Sequence, residues 1–378
     1  MIIDYEVLRL IWWLLLGVLL MGFAVMDGFD LGAAMCLPWL ARTDLERRIV
    51  INSIGPTWEG NQVWFVLGGG AIFAAWPTLY AISFSGFYLA MLLVLLALTL
   101  RPVGFKYRSK HESLIWRSFW DGALFIGGFV PSLIFGVAMG NVLQGVPFHF
   151  DSSMRAFYTG SFFGLLNPFA LLCGLLSVSM LTMHGAFFLQ NKTEGDLLLR
   201  SRKTGRFFAF ITMALFILGG VWIIWGVDGY VVVGTLLHNG PSSPLLKEVM
   251  LQSGAWLLNY QHGPLLWVIP GGVLVCALYA LFFARHARSA FIASALCVMG
   301  IIGTVGISMF PFILPSSSHP AHSLLVWDSS SSEKTLGMML IATAIFLPIV
   351  LAYTTWVYRV LRGKVTLQSV LAYKDSAY

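Results

Sequence analysis

Charged residues are scarce in this chain of 378 residues, since Asp, Glu, Lys and Arg make up 11% of it, against about 25% in an ordinary soluble domain. Apolar residues make up 58%, and the mean hydropathy is +0.81. This balance excludes a water-soluble globule, and the 15% aromatic content excludes a disordered chain. We therefore expect the whole chain, residues 1–378, to form a single integral membrane domain.

Cysteine is also scarce, and the four cysteines form neither a CxxC pair nor a CxxCH haem-attachment motif. All lie within apolar runs and are expected to be small core residues: Cys36, Cys173, Cys276 and Cys297. The net charge of +6 does not indicate nucleic acid, because the basic residues form short clusters between apolar runs. The N-terminus lacks a basic segment and a small-residue cleavage site, which predicts an uncleaved first span.

Nine apolar runs reach the length of about 20 residues that a membrane-spanning helix needs. We place them at 8–38, 50–74, 79–100, 119–141, 162–189, 207–227, 264–284, 290–314 and 336–358. The predicted fold class is all-α, a polytopic membrane bundle of about nine transmembrane helices. With the N-terminus outside, nineteen of the 23 Lys and Arg residues fall on the inner side. The positive-inside rule therefore predicts an outer N-terminus and an inner C-terminus.

Two polar connections are assigned to the outer side. Between Leu245 and Leu257 an amphipathic pattern predicts a short helix lying on the membrane surface, with a docking face for a partner as the alternative. The serine-rich segment from Ser316 to Ser332 is polar enough for an outer loop and too short for a domain.

Besides Asp121 near the start of the run at 119–141, three acidic residues lie inside the predicted spans, where an ionised carboxylate costs about 2.5–3.5 kcal/mol on insertion scales. Asp27 and Asp30, in MDGFDLG, share one helix face because they are three residues apart. Glu59 lies in TWEGNQVW, about 16 Å from Arg48, whereas Asp30 and Asp27 lie about 18 and 22 Å from Arg42 at about 1.5 Å per residue. This arrangement predicts a proton-conducting cluster or hydrogen-bonded ties between helices. The cluster is favoured because Asp and Glu tie membrane helices less well than Ser, Thr or Asn.

Three further polar residues are given structural roles. Asp121 is interpreted as a carboxylate at the start of a span, favoured by the helix N-terminus. Arg101, which follows an apolar run and precedes Pro102, is interpreted as an interfacial anchor. His184 is the one histidine placed in a span, and a lone intramembrane histidine is more often hydrogen-bonded or interfacial than a haem ligand. The chain alone is therefore a poor haem-binding scaffold.

Specific strings are shared with a known family. They are GFAVMDGFDLG (22–32), INSIGPTWEGNQVW (51–64), FAAWP (73–77), FSGFY (84–88), RPVGF (101–105), VDGY (227–230), MFPF (309–312) and WDSSSS (327–332). On these strings the chain resembles subunit II of the cytochrome bd quinol oxidases over essentially its whole length. Among subtypes it is most similar to the bd-II isoform of proteobacteria.

This resemblance implies a two-subunit oxidase of the bacterial inner membrane that takes electrons from quinol and reduces dioxygen to water. It implies haem b and haem d in the complex, with their ligands and the quinol-oxidising loop in subunit I. A bound ubiquinone in subunit II and a small single-helix accessory subunit are compatible with it. No catalytic residue and no metal site is expected in this chain.

The resemblance also implies a proton route through this subunit. The family's W-D-G-N-Q motif falls on residues 58–62, where Glu59 replaces the family's Asp and reaches one methylene further. Glu59, Asp27 and Asp30 are the expected proton carriers. The supporting polar residues are Trp58, Asn61, Gln62 and Arg101.

Two other functions remain open from the residues alone. A proton-coupled secondary transporter also has many spans and acids near mid-depth, and it would show an inverted repeat. Only DG dipeptides recur, at Asp27, Asp121 and Asp228. A purely structural partner subunit is the other alternative, in which the acids only tie helices together.

Overall fold

The computed structural model describes residues 3–372. The α-helices are α1 (Tyr5–Leu40), α2 (Asp44–Ile54), α3 (Trp58–Ala75), α4 (Pro77–Gly86), α5 (Tyr88–Tyr107), α6 (Leu114–Gln144), α7 (Pro168–Lys192), α8 (Gly195–Gly226), α9 (Leu258–His262), α10 (Val268–Phe282), α11 (Ala287–Met309), α12 (Glu333–Val360) and α13 (Leu367–Ala372). The strands form three antiparallel pairs: β1 (Phe148–Phe150) with β2 (Ala156–Tyr158), β3 (Asp228–Val233) with β4 (Glu248–Ser253), and β5 (Phe312–Leu314) with β6 (Leu324–Leu325).

Within residues 3–372, eight helical segments are long and apolar enough to cross a membrane: α1, α5 with the 3-10 turn that follows it, α6, α7, α8, α10 with the 3-10 turn Pro264–Trp267 that precedes it, α11 and α12. The predicted all-α polytopic bundle is therefore confirmed, with eight such helices rather than nine. Each overlaps one predicted run, although the run at 79–100 is divided between α4 and α5, which are separated at Phe87. The run at 50–74 has no single counterpart, because it is divided between the end of α2 and α3, and the 18 residues of α3 begin with a polar turn. The orientation stays a prediction, and Lys374, counted on the inner side, lies outside the described residues.

The predicted continuous span at 50–74 is wrong because the chain breaks between α2 and α3. Helix α2 ends at Ile54, and α3 begins at Trp58 after Gly55, Pro56 and Thr57. Proline lacks a backbone N–H and restricts the residue before it, which ends helices at such a site. The depth of Glu59 in the membrane therefore cannot be obtained from the rise per residue of one continuous helix that starts at Arg48.

Helices α1 and α7 cross at a contact that only glycine permits. A Cβ on Gly32 would lie 1.9 Å from the carbonyl oxygen of Leu181, and one on Gly185 would lie 2.3 Å from the amide nitrogen of Ala33. Both obstacles are backbone atoms and cannot rotate away. The two backbones thus touch one half-turn from Asp30, which fixes the height of this carboxylate against α7.

The predicted surface helix between Leu245 and Leu257 is wrong. Residues 248–253 form strand β4 in register with β3, and a 3-10 turn follows at Ala255–Leu257. Gly254 between them has a φ of 73°, a left-handed conformation that interrupts any helix. The side chain of Trp256 is buried and donates a hydrogen bond to the carbonyl oxygen of Leu143.

The serine-rich segment 316–332 is polar but largely buried. Its hydroxyl groups bond to backbone carbonyls, as Ser316 does to Phe148 and Ser329 to Leu325. Ser331 donates from its hydroxyl group to Ala74. The segment therefore covers the ends of several helices instead of extending into solvent.

Candidate functional site

Asp27 and Arg101 form a fully buried ion pair, each with 0% side-chain exposure. The guanidinium donates from Nη1 to Oδ2 at 3.0 Å and from Nη2 to Oδ1 at 2.8 Å. The prediction that Arg101 anchors at the interface is wrong, because α5 continues through Pro102 to Tyr107 and leaves Arg101 in its interior. Two parallel hydrogen bonds to one carboxylate orient both side chains.

The surroundings of Arg101 are shaped to hold its side chain. Gly127 of α6 lies where a Cβ would come within 2.9 Å of the arginine Cγ. The Trp58 ring centroid lies 5.8 Å from the guanidinium carbon, and the same ring packs on Phe105. The aromatic ring thus adds a cation–π contact to the ion pair.

Asp30, one turn further along α1, is also fully buried but forms no ion pair with any cationic side chain of residues 3–372. Its Oδ2 accepts a hydrogen bond of 2.7 Å from Nδ2 of Asn61 on α3. The amide oxygen of Asn61 in turn accepts one of 2.7 Å from the hydroxyl group of Tyr358 on α12. The other carboxyl oxygen, Oδ1, is buried and has no hydrogen-bond partner within the described part of the chain.

Glu59 is not brought into contact with these residues. Two positions before Asn61, it points about 200° away around α3 and is exposed, with no hydrogen bond or ion pair to any residue of 3–372. Gln62 is half-buried. The exposed residues at helical spacing, called here the open face of α3, are Glu59, Val63, Val66, Leu67, Gly70 and Phe73.

Asp121 belongs to a separate charged cluster, so its prediction as a residue at a helix start is wrong. Helix α6 begins at Leu114, which places Asp121 two turns inside it. Its carboxylate accepts hydrogen bonds from Arg47 at 2.7 Å and from Arg108 at 2.5 Å. Arg108 also pairs with Asp44 at 2.8 Å, so the cluster ties α2 to α6 and to the end of α5.

His184 is buried between α1 and α11, and both its ring nitrogens are in hydrogen bonds. Nε2 lies 3.0 Å from the carbonyl oxygen of Val25, and Nδ1 lies 2.8 Å from the hydroxyl group of Ser294. The prediction of a hydrogen-bonded histidine is confirmed. Because neither nitrogen has a free lone pair, this histidine does not fit a haem iron. Within residues 3–372 no group of three or more His, Cys, Asp or Glu is arranged to hold a metal ion.

Tyr358, Asn61 and Asp30 are joined by hydrogen bonds. Of these three residues, Tyr358 is the one that the sequence did not predict. It lies near the end of an apolar run, where tyrosine is common as an interfacial residue, and nothing in its neighbours distinguishes it. Arg101 was noted but given the wrong role, because a single arginine at the end of a run gives no sign of its partner. The cysteines are free, as expected, and Cys36 and Cys297 are fully buried.

The fold and this site together define a class: polytopic helical membrane proteins that hold ionisable residues within the bundle, where such residues mark ion or proton chemistry.

Comparison with known proteins narrows the class. The family model of cytochrome bd terminal oxidase subunit II matches residues 8–361, and the chain belongs to this family. It is similar to cytochrome bd-I ubiquinol oxidase subunit 2 of Escherichia coli strain K12, with 52% identity over 100% of both chains. The corresponding subunit 2 of Bacillus subtilis strain 168 is 32% identical over 96% of this chain and 98% of the relative.

A solved structure shares the fold. It is that of bd oxidase from Geobacillus thermodenitrificans, with a TM-score of 0.68 at 17% identity, covering 94% of this chain and 98% of that one. The chain is therefore a membrane subunit of a terminal oxidase, and the transporter alternative is set aside. The bd-II isoform assignment stays a prediction.

Proposed function

We propose that this chain is the proton-delivering subunit of a quinol oxidase and that it works with a haem-bearing subunit I. The relatives from Escherichia coli and Bacillus subtilis are named ubiquinol oxidase subunits, which supports quinol as the electron donor. Quinol oxidation and dioxygen reduction then take place on subunit I. Assignment of the haem ligands to that subunit is supported by His184, whose ring nitrogens are both engaged.

The observation that carries the proposal is the position of Glu59. An exposed carboxylate on a helix packed against α1 would be costly in lipid, and it lies on an otherwise apolar face. A second protein that covers the open face of α3 would remove this cost and place Glu59 in the subunit interface. There Glu59 could accept protons from water and pass them to subunit I.

Asp30 is the second proposed carrier. It is fully buried without a cation, and its free Oδ1 atom offers a site for a proton. The guanidinium of Arg101 on α5 donates one hydrogen bond to each carboxyl oxygen of Asp27, so we assign Asp27 to support of the cluster. For Asp27 the structural alternative, a tie between α1 and α5, is thus the better supported one.

The proposed direction of transfer follows from the predicted orientation. Quinol releases its protons on the outer side, and the reduction of dioxygen consumes protons taken from the inner side. Charge is then separated across the bacterial inner membrane without a conformational pump. A ubiquinone bound to this chain and a single-helix accessory subunit stay predictions.

The test is a Glu59→Gln variant of the assembled two-subunit oxidase. We expect quinol-driven oxygen consumption to fall by about tenfold, because a positioned proton-transfer group is lost while water permits some bypass. Glu59→Asp, which restores the family's acid, should retain most of the rate. The measurement is oxygen uptake per haem with excess quinol.

The matched control is Glu112→Gln, which removes an exposed carboxylate outside the spans. It should leave the rate unchanged. Full turnover of Glu59→Gln at unchanged haem content would refute the role of Glu59, and a purely structural subunit would be the remaining alternative.

A further inference from the structure

A cavity of about 480 Å³ lies between α1, α3 and α12. Its wall includes Met26 on α1, Trp64 on α3, and Thr354 and Tyr358 on α12. Arg359 and the nearby Arg362, both exposed, lie at the same end. Tyr358 therefore lines the cavity, whereas Asp30 is fully buried.

Tyr358 reaches Asp30 through one intermediate side chain. Its hydroxyl group donates to the amide oxygen of Asn61 at 2.7 Å, and the amide nitrogen donates to Asp30 at 2.7 Å. Asn61 is itself 2% exposed, so no solvent competes for either bond. Three helices, α12, α3 and α1, are joined by this chain of two hydrogen bonds.

The direction of the two hydrogen bonds, from Tyr358 to Asn61 and from Asn61 to Asp30, favours the ionised form of Asp30. An amide group has an acceptor side and a donor side. When Tyr358 donates to the oxygen of Asn61, the NH₂ group faces the carboxylate, and a donor facing a carboxylate stabilises its ionised form. In the flipped orientation the amide oxygen would face Asp30 and favour its protonated form.

We infer that Tyr358 is a positioning residue for proton transfer through Asp30, acting by fixing the amide orientation of Asn61; this inference rests on the proposed proton route. The charged and titratable groups that face Asp30 are Asp27 on the same helix, Arg101 on α5 and Tyr358 on α12. Asp27 and Arg101 neutralise each other in their ion pair. The hydrogen bond from Asn61 is therefore the adjustable contact at this carboxylate.

The experiment compares Tyr358→Phe with Tyr353→Phe in the assembled oxidase. Tyr353 lies on the same helix and is 63% exposed, so its hydroxyl group serves as the matched control. Without the Tyr358 donor, Asp30 should hold its proton more firmly, and the alkaline limb of the pH profile of oxygen consumption should move up by about half to one pH unit. Tyr353→Phe should leave the profile unchanged.

A shift in the profile separates positioning from a general loss of stability, which would lower the rate at every pH. The double variant Asp30→Asn with Tyr358→Phe should behave as Asp30→Asn alone, because the tyrosine acts only through this carboxylate. Should Tyr358→Phe fail to assemble, Asn61→Leu tests the same link, since it removes the donor to Asp30 and should cause the same upward shift.

The experiment distinguishes failure of the inference about Tyr358 from failure of the proposed role of Asp30. If Asp30→Asn slows turnover but Tyr358→Phe keeps the wild-type profile, the inference about Tyr358 is wrong and the proton route through Asp30 stands. If Asp30→Asn itself retains full turnover and the wild-type profile at unchanged haem content, the proposed role of Asp30 is wrong and the inference falls with it.

Discussion

Single residues in this protein differ sharply in how their charge is compensated. Asp27 accepts two hydrogen bonds from a guanidinium group, and Asp30 accepts one from an amide group. Glu59 forms no hydrogen bond or ion pair with any residue of 3–372. The three acids were predicted as one cluster, but their environments differ, which is why we propose different functions for them. A fully paired carboxylate stabilises the fold, whereas carboxylates with free oxygen atoms are available for protons.

The ion pair between Asp27 and Arg101 should matter strongly for stability. Arg101→Met leaves a buried carboxylate uncompensated, and breaking a buried pair in this way costs about 3–5 kcal/mol. The double variant Asp27→Asn with Arg101→Met should lose less, because no unpaired charge remains. Thermal unfolding of the purified oxidase, followed by loss of the haem absorption, measures both changes.

The control for this prediction is an exposed pair in the same chain. Lys364 and Glu194 are separated by 3.9 Å with side-chain exposures of 44% and 56%. Lys364→Met should cost about 1 kcal/mol or less, as is usual for surface pairs. An Arg101→Met variant no less stable than Lys364→Met would contradict the assigned role of the buried pair.

The sequence predicts a helix or a strand correctly where the residues of that element alone determine it, and fails where contacts with distant segments do. The length of an apolar run is enough to place α6, α7, α8 and α11, because a lipid-facing helix must satisfy its own backbone. The break before Trp58 and strand β4 were not found, since Pro56 was read as part of a span and the partner strand β3 is distant in sequence. The link from α12 to Asn61 likewise depends on tertiary packing.

The crossing of α1 and α7 gives a prediction at the level of helices. Gly32→Leu places a side chain against the backbone oxygen of Leu181, 1.9 Å from the position of its Cβ, so the helices must separate and the height of Asp30 must change. We expect strongly reduced assembly with subunit I and at least a several-fold lower haem yield. Co-purification on a tag fused to this chain measures the loss.

Gly220→Ala on α8 is the control for this crossing, because a Cβ there meets nothing within 4 Å. It should assemble as the wild type does. Normal haem yield from Gly32→Leu would show that α1 and α7 tolerate separation.

At the scale of the whole molecule, the excess of Lys and Arg residues on the predicted inner side remains after the buried arginines are taken into account. Arg101 is buried in an ion pair inside the bundle and no longer counts for the inner side. Of the eighteen basic residues that remain assigned there, Arg48 and Arg108 are also buried. Arg9, one of the four on the outer side, is also buried, where it donates to Ser330 and to the carbonyl oxygens of His238 and Gly240. The remaining imbalance still predicts an inner C-terminus.

The open face of α3 should be covered by subunit I, and this gives the last prediction. Val66 is 67% exposed in the middle of this face, close to Gly70, whose missing side chain allows a neighbouring helix to approach. Val66→Trp should clash with a packed partner and reduce co-purification of subunit I several-fold. Ile345→Trp on α12, at a site 56% exposed, should have no such effect, because lipid accommodates an added ring where a protein surface does not. Equal recovery of subunit I with both variants would place the interface on another face and leave Glu59 without its proposed cover.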